Sequence, residues 1–563
     1  MVRIPFKKIM IICIIILLIC TAGYLFSIHI QLAAKPVSDE YISAMNDALY
    51  PVTDIIQSEM DNITLSVWNA SRELDGVDVS NSSMDLTLLR LRRDIPLSFE
   101  VGRFDENDIR IASTSDTEKT PGTAKATIHY TKEELQAAGA NCIISNYGQA
   151  GFGESGVTVT APVYDAEGQY NGTLRVVINT GYLFSGIAEY LRSEYGYTIW
   201  VVQNDGLQIY DENTEEIGRN ILTDPLYQTV SIQNIVHDIL DNERGNASYI
   251  FFDVAWSDYT QMNSVWETII PGYGMKWRLV LTDNTVQNTG EREYSTTPEE
   301  LKAFVENAYT YINSVGKERA LAEFNDQDGQ FVDDELYIFA FDMNGTVLAL
   351  PYQLNLVGLN RWYLEDTSGV KIGQRIIARA EQGGGYVYYL YPNPVDNYTK
   401  ELKLTYVMAV NDEWCIAAGI YMQNSSIAET LSDDWKEREN LIRQVRNMEY
   451  LSKLEGEDSV IEMIRDPNSE MQIEGLYPFA ITANGTILAD SINPSRDGTN
   501  QLGLKNSYGM SIMRDAISLA EAGGGMMYNL MWNPTMMQEN HVLIYIEPAE
   551  DGSTYFGSLM SLE

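Results

Sequence analysis

The sequence of 563 residues is poor in the side chains that usually carry redox, metal or nucleophilic chemistry. It contains four cysteines and four histidines. Cys13 and Cys20 lie in an apolar N-terminal run, so only the distant Cys142 and Cys415 remain, and two such residues do not make a disulfide framework. The histidines are scattered without metal-ligand spacing, and neither a nucleophile elbow nor a phosphate-binding loop occurs. We therefore predict no metal, no cofactor and no enzymatic activity.

Basic residues are also scarce. The chain has 38 lysines and arginines against 79 aspartates and glutamates, which gives a formal net charge of −41. A surface of this sign repels the phosphates of nucleic acids, so nucleic acid is not expected as a partner. The acidic residues are spread along the chain, which indicates solvated faces and not an acidic tail. Nine N-x-S/T sequons are compatible with a glycosylated exterior.

One apolar run is long enough to cross a bilayer. It extends over Ile9–Phe26 without a charge and follows three basic residues. A cationic flank stays in the cytoplasm, so residues 1–35 are predicted to be a cytoplasmic tip and a transmembrane anchor, with the bulk of the chain outside the cell. A signal peptide cleaved near Ala33 is the alternative. No second run of spanning length follows, so we expect a single-pass protein of the cell membrane.

Two parts of the chain are copies of one module. Residues 298–423 and 438–563 align with an offset of 140 residues. Leu336–Ala349 returns as Leu476–Ala489 with nine of fourteen positions identical. A period this long with two copies indicates duplicated globular domains and not a solenoid.

The hydrophobic pattern predicts mixed secondary structure. Apolar residues step by three or four from Ile56 to Leu74, which indicates a long amphipathic helix over residues 37–74. Alternating segments separated by Asn-Gly-type turns then predict hairpins. Each copy continues as helix, hairpin, shorter helix and strand meander. The predicted class is α+β, with antiparallel sheets and flanking helices after an N-terminal transmembrane helix.

Copy one resembles the single-Cache extracellular sensor modules, which are related to the PAS fold. The resemblance rests on four segments in the family's order. They are Leu336–Ala349, Gly358–Asn360, the glycine run that leads into Tyr386–Pro394, and Glu401–Met422. Copy two carries the same frame in weaker form. The resemblance implies PAS-like Cache modules in the duplicated part.

The region before the duplication is similar to a double-Cache sensor. The likeness rests on the long N-terminal helix, on two hairpin-bearing halves and on Gln208–Tyr227 in the second half. The distal half lacks the Arg-x-Trp-Tyr run of double-Cache domains that bind amino acids. The predicted domains are 1–35 for the tip and anchor, 36–290 for the double-Cache-like domain, 291–426 for copy one and 427–563 for copy two.

The Cache resemblance implies a cavity over the sheet that holds a small ligand, often an organic anion or an amino acid. Copy one has residue types that suit such a ligand, because an arginine fork and a lysine bind carboxylates and tyrosines add hydroxyls. The predicted ligand-binding residues are Arg361, Trp362, Tyr363, Tyr389, Tyr391, Lys403 and Tyr406. The alternatives are a half-buried tyrosine surface, an Arg361 that pairs with Glu365 or Asp366, and a solvated Lys403.

Copy two has lost most of these side chains. At the equivalent positions it carries Gln501, Leu502, Gly503, Asn529 and Met531, and Lys403 aligns with either Val542 or Leu543. The residues that shape the backbone persist while the polar and aromatic ones differ. We therefore predict that copy one binds the ligand, and that copy two is structural or binds something less polar.

The predicted function is that of a membrane-anchored extracellular sensor. It would bind a small molecule in a Cache pocket and signal through a separate protein, and homodimerisation is also compatible with this layout. A capture protein that feeds a transporter fits the layout nearly as well. A structural surface protein with degenerate Cache domains is a further alternative. An external hydrolase is disfavoured by the lack of a catalytic constellation.

Overall fold

The computed structural model describes most of the chain after the predicted anchor. The described residues are 37–77, 82–114, 129–149, 155–214, 216–224, 227, 230–253, 258–284, 296–333, 336–393, 400–422, 435–533, 538–549 and 552–562. Among them, no helix combines the length and the apolar character that a membrane span requires. The predicted transmembrane helix lies outside the described residues.

The described helices flank a series of sheets, as predicted. They are α1 Asp39–Glu73, α2 Ser82–Asp94, α3 Lys132–Ala138, α4 Thr180–Tyr195, α5 Val230–Asp241, α6 Pro298–Val315, α7 Lys317–Phe324, α8 Ile372–Glu381, α9 Trp435–Glu455, α10 Glu457–Arg465 and α11 Ile512–Glu521. Helix α1 confirms the predicted long helix, and its apolar stripe from Ile56 to Leu74 is buried. Pro51 lies inside this helix and does not end it.

The strands of the N-terminal region form two sheets. They are β1 Ser98–Phe104, β2 Arg110–Ser113, β3 Ile143–Ile144, β4 Gly148–Gln149, β5 Ser155–Tyr164, β6 Tyr170–Ile178, β7 Thr198–Gln203, β8 Gln208–Asp211, β9 Gly245–Asp253, β10 Asp258–Gly272 and β11 Met275–Asn284. The sheet orders are β2-β1-β6-β5-β3, with β4 beside β5, and β8-β7-β11-β10-β9. One apolar core joins α1 to both sheets.

The duplicated part forms two further five-stranded sheets and one two-stranded sheet. Its strands are β12 Val332–Asp333, β13 Leu336–Tyr337, β14 Phe339–Asp342, β15 Val347–Ala349, β16 Gly385–Pro392, β17 Lys400–Asn411, β18 Trp414–Tyr421, β19 Leu476–Thr482, β20 Ile487–Asp490, β21 Gly525–Asn533, β22 Gln538–Pro548 and β23 Thr554–Ser561. The orders are β15-β14-β18-β17-β16 in copy one and β20-β19-β23-β22-β21 in copy two. Strands β12 and β13 form the separate two-stranded sheet. The four larger sheets share one antiparallel order, in which the first strand along the chain pairs with the second and the last. The α+β class is therefore confirmed.

The Asn-Gly turns lie where the sequence predicts hairpins. In copy one, the Asp342 carboxylate accepts hydrogen bonds from the backbone N–H groups of Asn344 and Thr346. Gly345 follows with φ +90°, and a Cβ there would lie 3.0 Å from Trp362. Glycine is needed at this turn because the backbone is left-handed there and because Trp362 packs too close to leave room for a Cβ atom.

The two copies pack against each other through equivalent helices. Arg379 of α8 pairs with Asp515 of α11, Nη2 to Oδ1 at 2.5 Å, and Arg375 lies 4.0 Å from the other carboxylate oxygen. Arg375 and Asp515 occupy equivalent positions in the two copies, so the contact is close to two-fold symmetric. Nearby, the rings of Tyr388 and His541 are 5.3 Å apart. The two copies therefore meet through the same helix of each.

The N-terminal region packs on copy two through helices α2 and α9. Arg92 of α2 donates to Glu547 at 2.7 Å and to Glu449 at 3.0 Å. Arg446 of α9 donates to the carbonyl oxygens of Pro96 and Ser98 at 3.1 and 2.9 Å. These polar groups are mostly removed from solvent, so the two regions meet through a buried ionic cluster.

Candidate ligand-binding site

A cavity of about 730 Å³ lies between the second sheet of the N-terminal region and copy one. Strands β7 and β8, helix α5 and the segment after β8 form its larger part. Residues 360–367 and the ends of β16 and β17 close it from the side of copy one. This volume is within the range of pockets that hold small ligands. Two units of the chain thus build one cavity.

The inner chamber of the cavity is mainly apolar. Helix α5 turns Ile232, Ile235, Val236 and Ile239 toward the face of the sheet, at the spacing of a buried helix stripe. The sheet contributes the side chains of Trp200, Tyr249, Met262 and Thr282 to the opposite wall of the chamber. Trp200 Nε1 donates to Thr282 Oγ1 at 3.2 Å, so the indole edge is held in place. The chamber suits an apolar group of a ligand.

Polar groups line the cavity where β8 ends. The Tyr227 hydroxyl donates to the Glu216 carboxylate and lies 3.2 Å from Gln208 Oε1. Burial and the adjacent Glu216 carboxylate hold the pKa of Tyr227 well above its usual value. Asp211 accepts hydrogen bonds from Gln208 Nε2 and from the backbone N–H of Asn213. These side chains are already bonded to one another.

Side chains from the two units also meet directly at the cavity. Arg361 Nη2 of copy one donates to Thr214 Oγ1 at 3.1 Å. Asn179 Nδ2 of the N-terminal region donates to Glu365 Oε2 at 3.2 Å. These bonds tie residues that line the cavity, so its shape depends on how the two units are docked.

Arg438 of α9 joins all three regions beside this junction. Its guanidinium donates to the Ser185 hydroxyl at 2.9 Å, to the Tyr182 carbonyl at 3.0 Å and to the Thr367 carbonyl at 2.6 Å. It also lies over the Tyr182 ring at 4.9 Å from the centroid. The guanidinium of copy two thereby links helix α4 to the turn after Asp366.

Asp366 is a half-buried acid at the edge of the cavity. Its carboxylate accepts hydrogen bonds from the backbone N–H groups of Ser368, Val370 and Leu390, each at 2.9 Å. Burial raises the pKa of Asp366 to about 6, although these hydrogen bonds oppose the rise. The carboxylate fixes the turn that carries the copy-one wall of the cavity.

Lys400 lines the cavity from the first position of β17 and is half-buried. Burial lowers the pKa of Lys400 to about 8, and the nearby Arg192 guanidinium acts in the same direction. The carboxylates of Glu189, Asp211 and Asp366 act in the opposite direction. Sequence reasoning missed Lys400, because nothing local distinguishes it from a solvated lysine at a strand end.

The structure divides the predicted site residues into three groups. Arg361, Tyr363 and Tyr391 line the cavity. Trp362 does not, because its backbone and Cβ pack on the Gly345 turn. Tyr363 is 48 % exposed and lies at the mouth, and the Tyr391 hydroxyl donates to Gln353 at 2.6 Å.

Lys403 lies in a separate cage of aromatic rings. Its side chain is fully buried, and Nζ lies 2.8 Å from the Tyr337 hydroxyl and 3.2 Å from the Tyr421 hydroxyl. The ammonium is 4.1 and 4.5 Å from the centroids of the same two rings. Tyr389 shares this face and accepts a hydrogen bond from Thr405 at 2.8 Å. Lys403 therefore fills the cage with its own ammonium group.

Tyr406 lies on the opposite face of the sheet from Lys403. It pairs with Tyr386 across the strands, with ring centroids 4.9 Å apart, whereas Lys403 pairs with Tyr389. The alternation of side chains along β17 requires this separation. The strand register also resolves the alignment with copy two. Val542 pairs with Asn529, the counterpart of Tyr389, and so stands where copy one has Lys403.

Comparison with protein families gives one match. The family described as Single Cache domain 2 matches residues 296–431, which hold the copy-one sheet and its helices. No curated protein matches the chain significantly.

Several solved structures resemble parts of the chain. An extracellular ligand binding receptor from Desulfohalobium retbaense is 18 % identical, with a TM-score of 0.34 over 44 % of this chain and 41 % of the receptor. The periplasmic sensory domain of the Campylobacter jejuni chemoreceptor Tlp1 is 14 % identical, with a TM-score of 0.33 over 43 % of this chain and 93 % of that domain. The chain thus spans less than half the length of the first of these relatives. Residues 296–431 are therefore similar to a single-Cache module, as the sequence of copy one predicts.

Proposed function

We propose that this chain is a membrane-anchored extracellular sensor that binds a small molecule in the cavity between the N-terminal region and copy one. The observation that carries the proposal is the construction of the cavity. Its apolar chamber belongs to the N-terminal region, its polar groups come from both units, and side chains of both are bonded across it. The Cache module at residues 296–431 supports a ligand-binding role and not an enzymatic one.

A ligand in such a cavity would act on the arrangement of the two units. It would contact both walls at once, so it would bind the docked arrangement more tightly than a separated one. A ligand shifts a conformational equilibrium by its difference in affinity for the two states. The chain would transmit this shift through a separate partner protein.

The test is a thermal-shift screen of the full-length chain in detergent micelles. The probes are amino acids, small carboxylates and amines, since a ligand that binds the native state raises the melting temperature. Ile235→Trp fills the inner chamber and should abolish every specific shift. Leu240→Trp changes the same helix, but Leu240 does not line the cavity, so this control should respond like the unmodified chain.

One outcome of the screen would contradict the proposal. A probe that stabilises the unmodified chain and the Ile235→Trp variant equally would bind elsewhere. The proposed site would then be wrong, whereas the Cache module itself would remain.

A further inference from the structure

We propose that Lys400 receives the carboxylate of a small monocarboxylic acid whose apolar body occupies the chamber under helix α5. This inference rests on the proposed function and names the chemical class of its ligand. It depends on three features of the cavity. The Lys400 ammonium lacks a hydrogen-bond or ion-pair partner among the described residues, acids outnumber basic residues in the wall, and the chamber is apolar.

The other charged side chains that line the cavity have partners. Arg192 pairs with Glu212, and Arg361 bonds to Thr214. The remaining acids accept hydrogen bonds from side chains or backbone N–H groups, namely Asp211, Glu216, Glu365 and Asp366. Within the described part of the chain, Lys400 makes neither a hydrogen bond nor an ion pair. Its ammonium is thus a charged group of the cavity wall to which a ligand can supply the hydrogen-bond acceptor.

The surroundings of Lys400 do not compensate for its burial. The groups that face it are Arg192 and Glu189 of α4, Asp211 of β8 and Asp366 of copy one. Their combined effect with burial leaves its pKa at about 8, below the ordinary 10.5 of a lysine. A half-buried ammonium without a protein partner gains a charge-assisted hydrogen bond when a carboxylate binds beside it. A ligand carboxylate at Lys400 would therefore accept a charge-assisted hydrogen bond from the ammonium, and this bond favours binding.

The same wall limits the ligand to one negative charge. The acids that line the cavity outnumber its basic residues, so a dicarboxylate or a phosphate ester would meet repulsion at its second charge. The chamber beyond Lys400 offers isoleucine, valine, tryptophan and tyrosine side chains. An aryl or alkyl monocarboxylate matches both parts of the cavity.

The experiment is isothermal titration of the full-length chain with phenylacetate, 3-phenylpropionate and hexanoate. The matched neutral probes are phenylacetamide and hexanamide, the cationic probe is phenethylamine, and succinate tests the second charge. We expect the monocarboxylates to bind and the amides, the amine and succinate to bind at least roughly tenfold more weakly, as for the loss of one charge-assisted hydrogen bond.

Variants of Lys400 test its role directly. Lys400→Met should weaken monocarboxylate binding roughly tenfold or more, and Lys400→Arg should restore part of it. Lys505→Met removes an exposed lysine of copy two and should change nothing. Affinity of the unmodified chain should fall as the pH rises above about 8, where the ammonium loses its proton.

The outcomes separate this inference from the proposed function. Equal binding of acids and amides, preference for the amine, or unchanged affinity in Lys400→Met each overturns the carboxylate assignment. If Ile235→Trp still abolishes binding in those cases, the cavity remains the site. The absence of any binding by the three monocarboxylates at millimolar concentration also overturns the assignment.

Discussion

At the scale of single residues, two lysines of one strand have different environments. Lys403 is enclosed by tyrosines, and its ammonium bonds to two hydroxyls of its own module. Lys400 begins the strand and lines the cavity at the junction of two units. Both are lysines of β17, which pairs with the tyrosine-rich strand β16. Their roles differ because only one of them has its bonding groups satisfied within copy one.

Lys403→Ala should destabilise the chain by about 2–5 kcal/mol, in the range of large buried side chains that are truncated to alanine. The lost atoms leave a cavity lined by Tyr337, Tyr391 and Tyr421, whose ring faces attract cations. Added n-propylammonium should therefore raise the unfolding midpoint of the variant in urea.

The same amine should leave the unmodified chain unchanged, because the cage is already filled. Lys302→Ala, at an exposed position of α6, serves as the control and should shift the midpoint little. If Lys403→Ala is as stable as that control, the tyrosine cage does not hold the ammonium in solution.

At the scale of elements, helix α9 connects copy two to the rest of the molecule. Arg446 points into the N-terminal region, and Arg438 reaches helix α4 and copy one. Burial alone would raise the pKa of Glu547, but the Arg92 and Arg446 guanidiniums outweigh it and hold that pKa below its usual range. The helix is thus held by charges that have little access to water.

Glu547→Gln should lower the free energy of unfolding by about 3–5 kcal/mol, because two buried guanidiniums lose their shared carboxylate. Urea unfolding at neutral pH measures this effect. Glu462→Gln breaks an exposed pair with Arg465 and should cost at most about 1 kcal/mol.

The stabilisation from Glu547 should also depend on pH in a defined direction. A depressed folded-state pKa stabilises the fold above the unfolded value of 4.5, and this contribution disappears as the pH falls through the folded value. The difference in free energy of unfolding between the unmodified chain and Glu547→Gln should therefore become smaller as the pH falls. A difference that grows as the pH falls would contradict the role assigned to Glu547.

At the scale of the whole molecule, one sheet order occurs four times, and the cavity lies between two of the units. The docking of those units places the Gly369 turn of copy one against Tyr182 of helix α4. A Cβ at Gly369 would lie 2.2 Å from the Tyr182 hydroxyl. The counterpart in copy two, Gly509, has a similar positive φ but nothing within 4 Å of its Cβ position.

Gly369→Ala and Gly509→Ala therefore form a matched pair. Each should cost about 1–2 kcal/mol from the left-handed backbone alone. Only Gly369→Ala also displaces Tyr182, so it should lower the unfolding midpoint further and weaken ligand binding in the cavity. Equal effects of the two substitutions in both measurements would mean that the two units are not docked in this way.

Much of the fold follows from local pattern. The predicted apolar stripe of α1, the Asn-Gly hairpins and the helix that opens copy one match the structure, because helix period and turn chemistry are properties of neighbouring residues. Helix α4 is absent from the sequence prediction.

The candidate site was only partly accessible from the sequence. Arg361, Tyr363 and Tyr391 line the cavity, while Lys403 and Tyr389 belong to an internal cage. Residue type indicates that a side chain is able to bind an anion. It does not indicate whether a neighbouring tyrosine already uses that ability.

The amino-acid pattern alone is sufficient for the α+β class, the duplication and the Cache resemblance of copy one, because each depends on short-range periodicity or on internal repetition. The cavity depends on contacts between residues far apart in the chain. Lys400 faces Arg192 and Asp211 only when copy one docks on the N-terminal region. That docking is the sum of many weak surface contacts, so no local motif records it, and the tertiary structure alone brings these groups together.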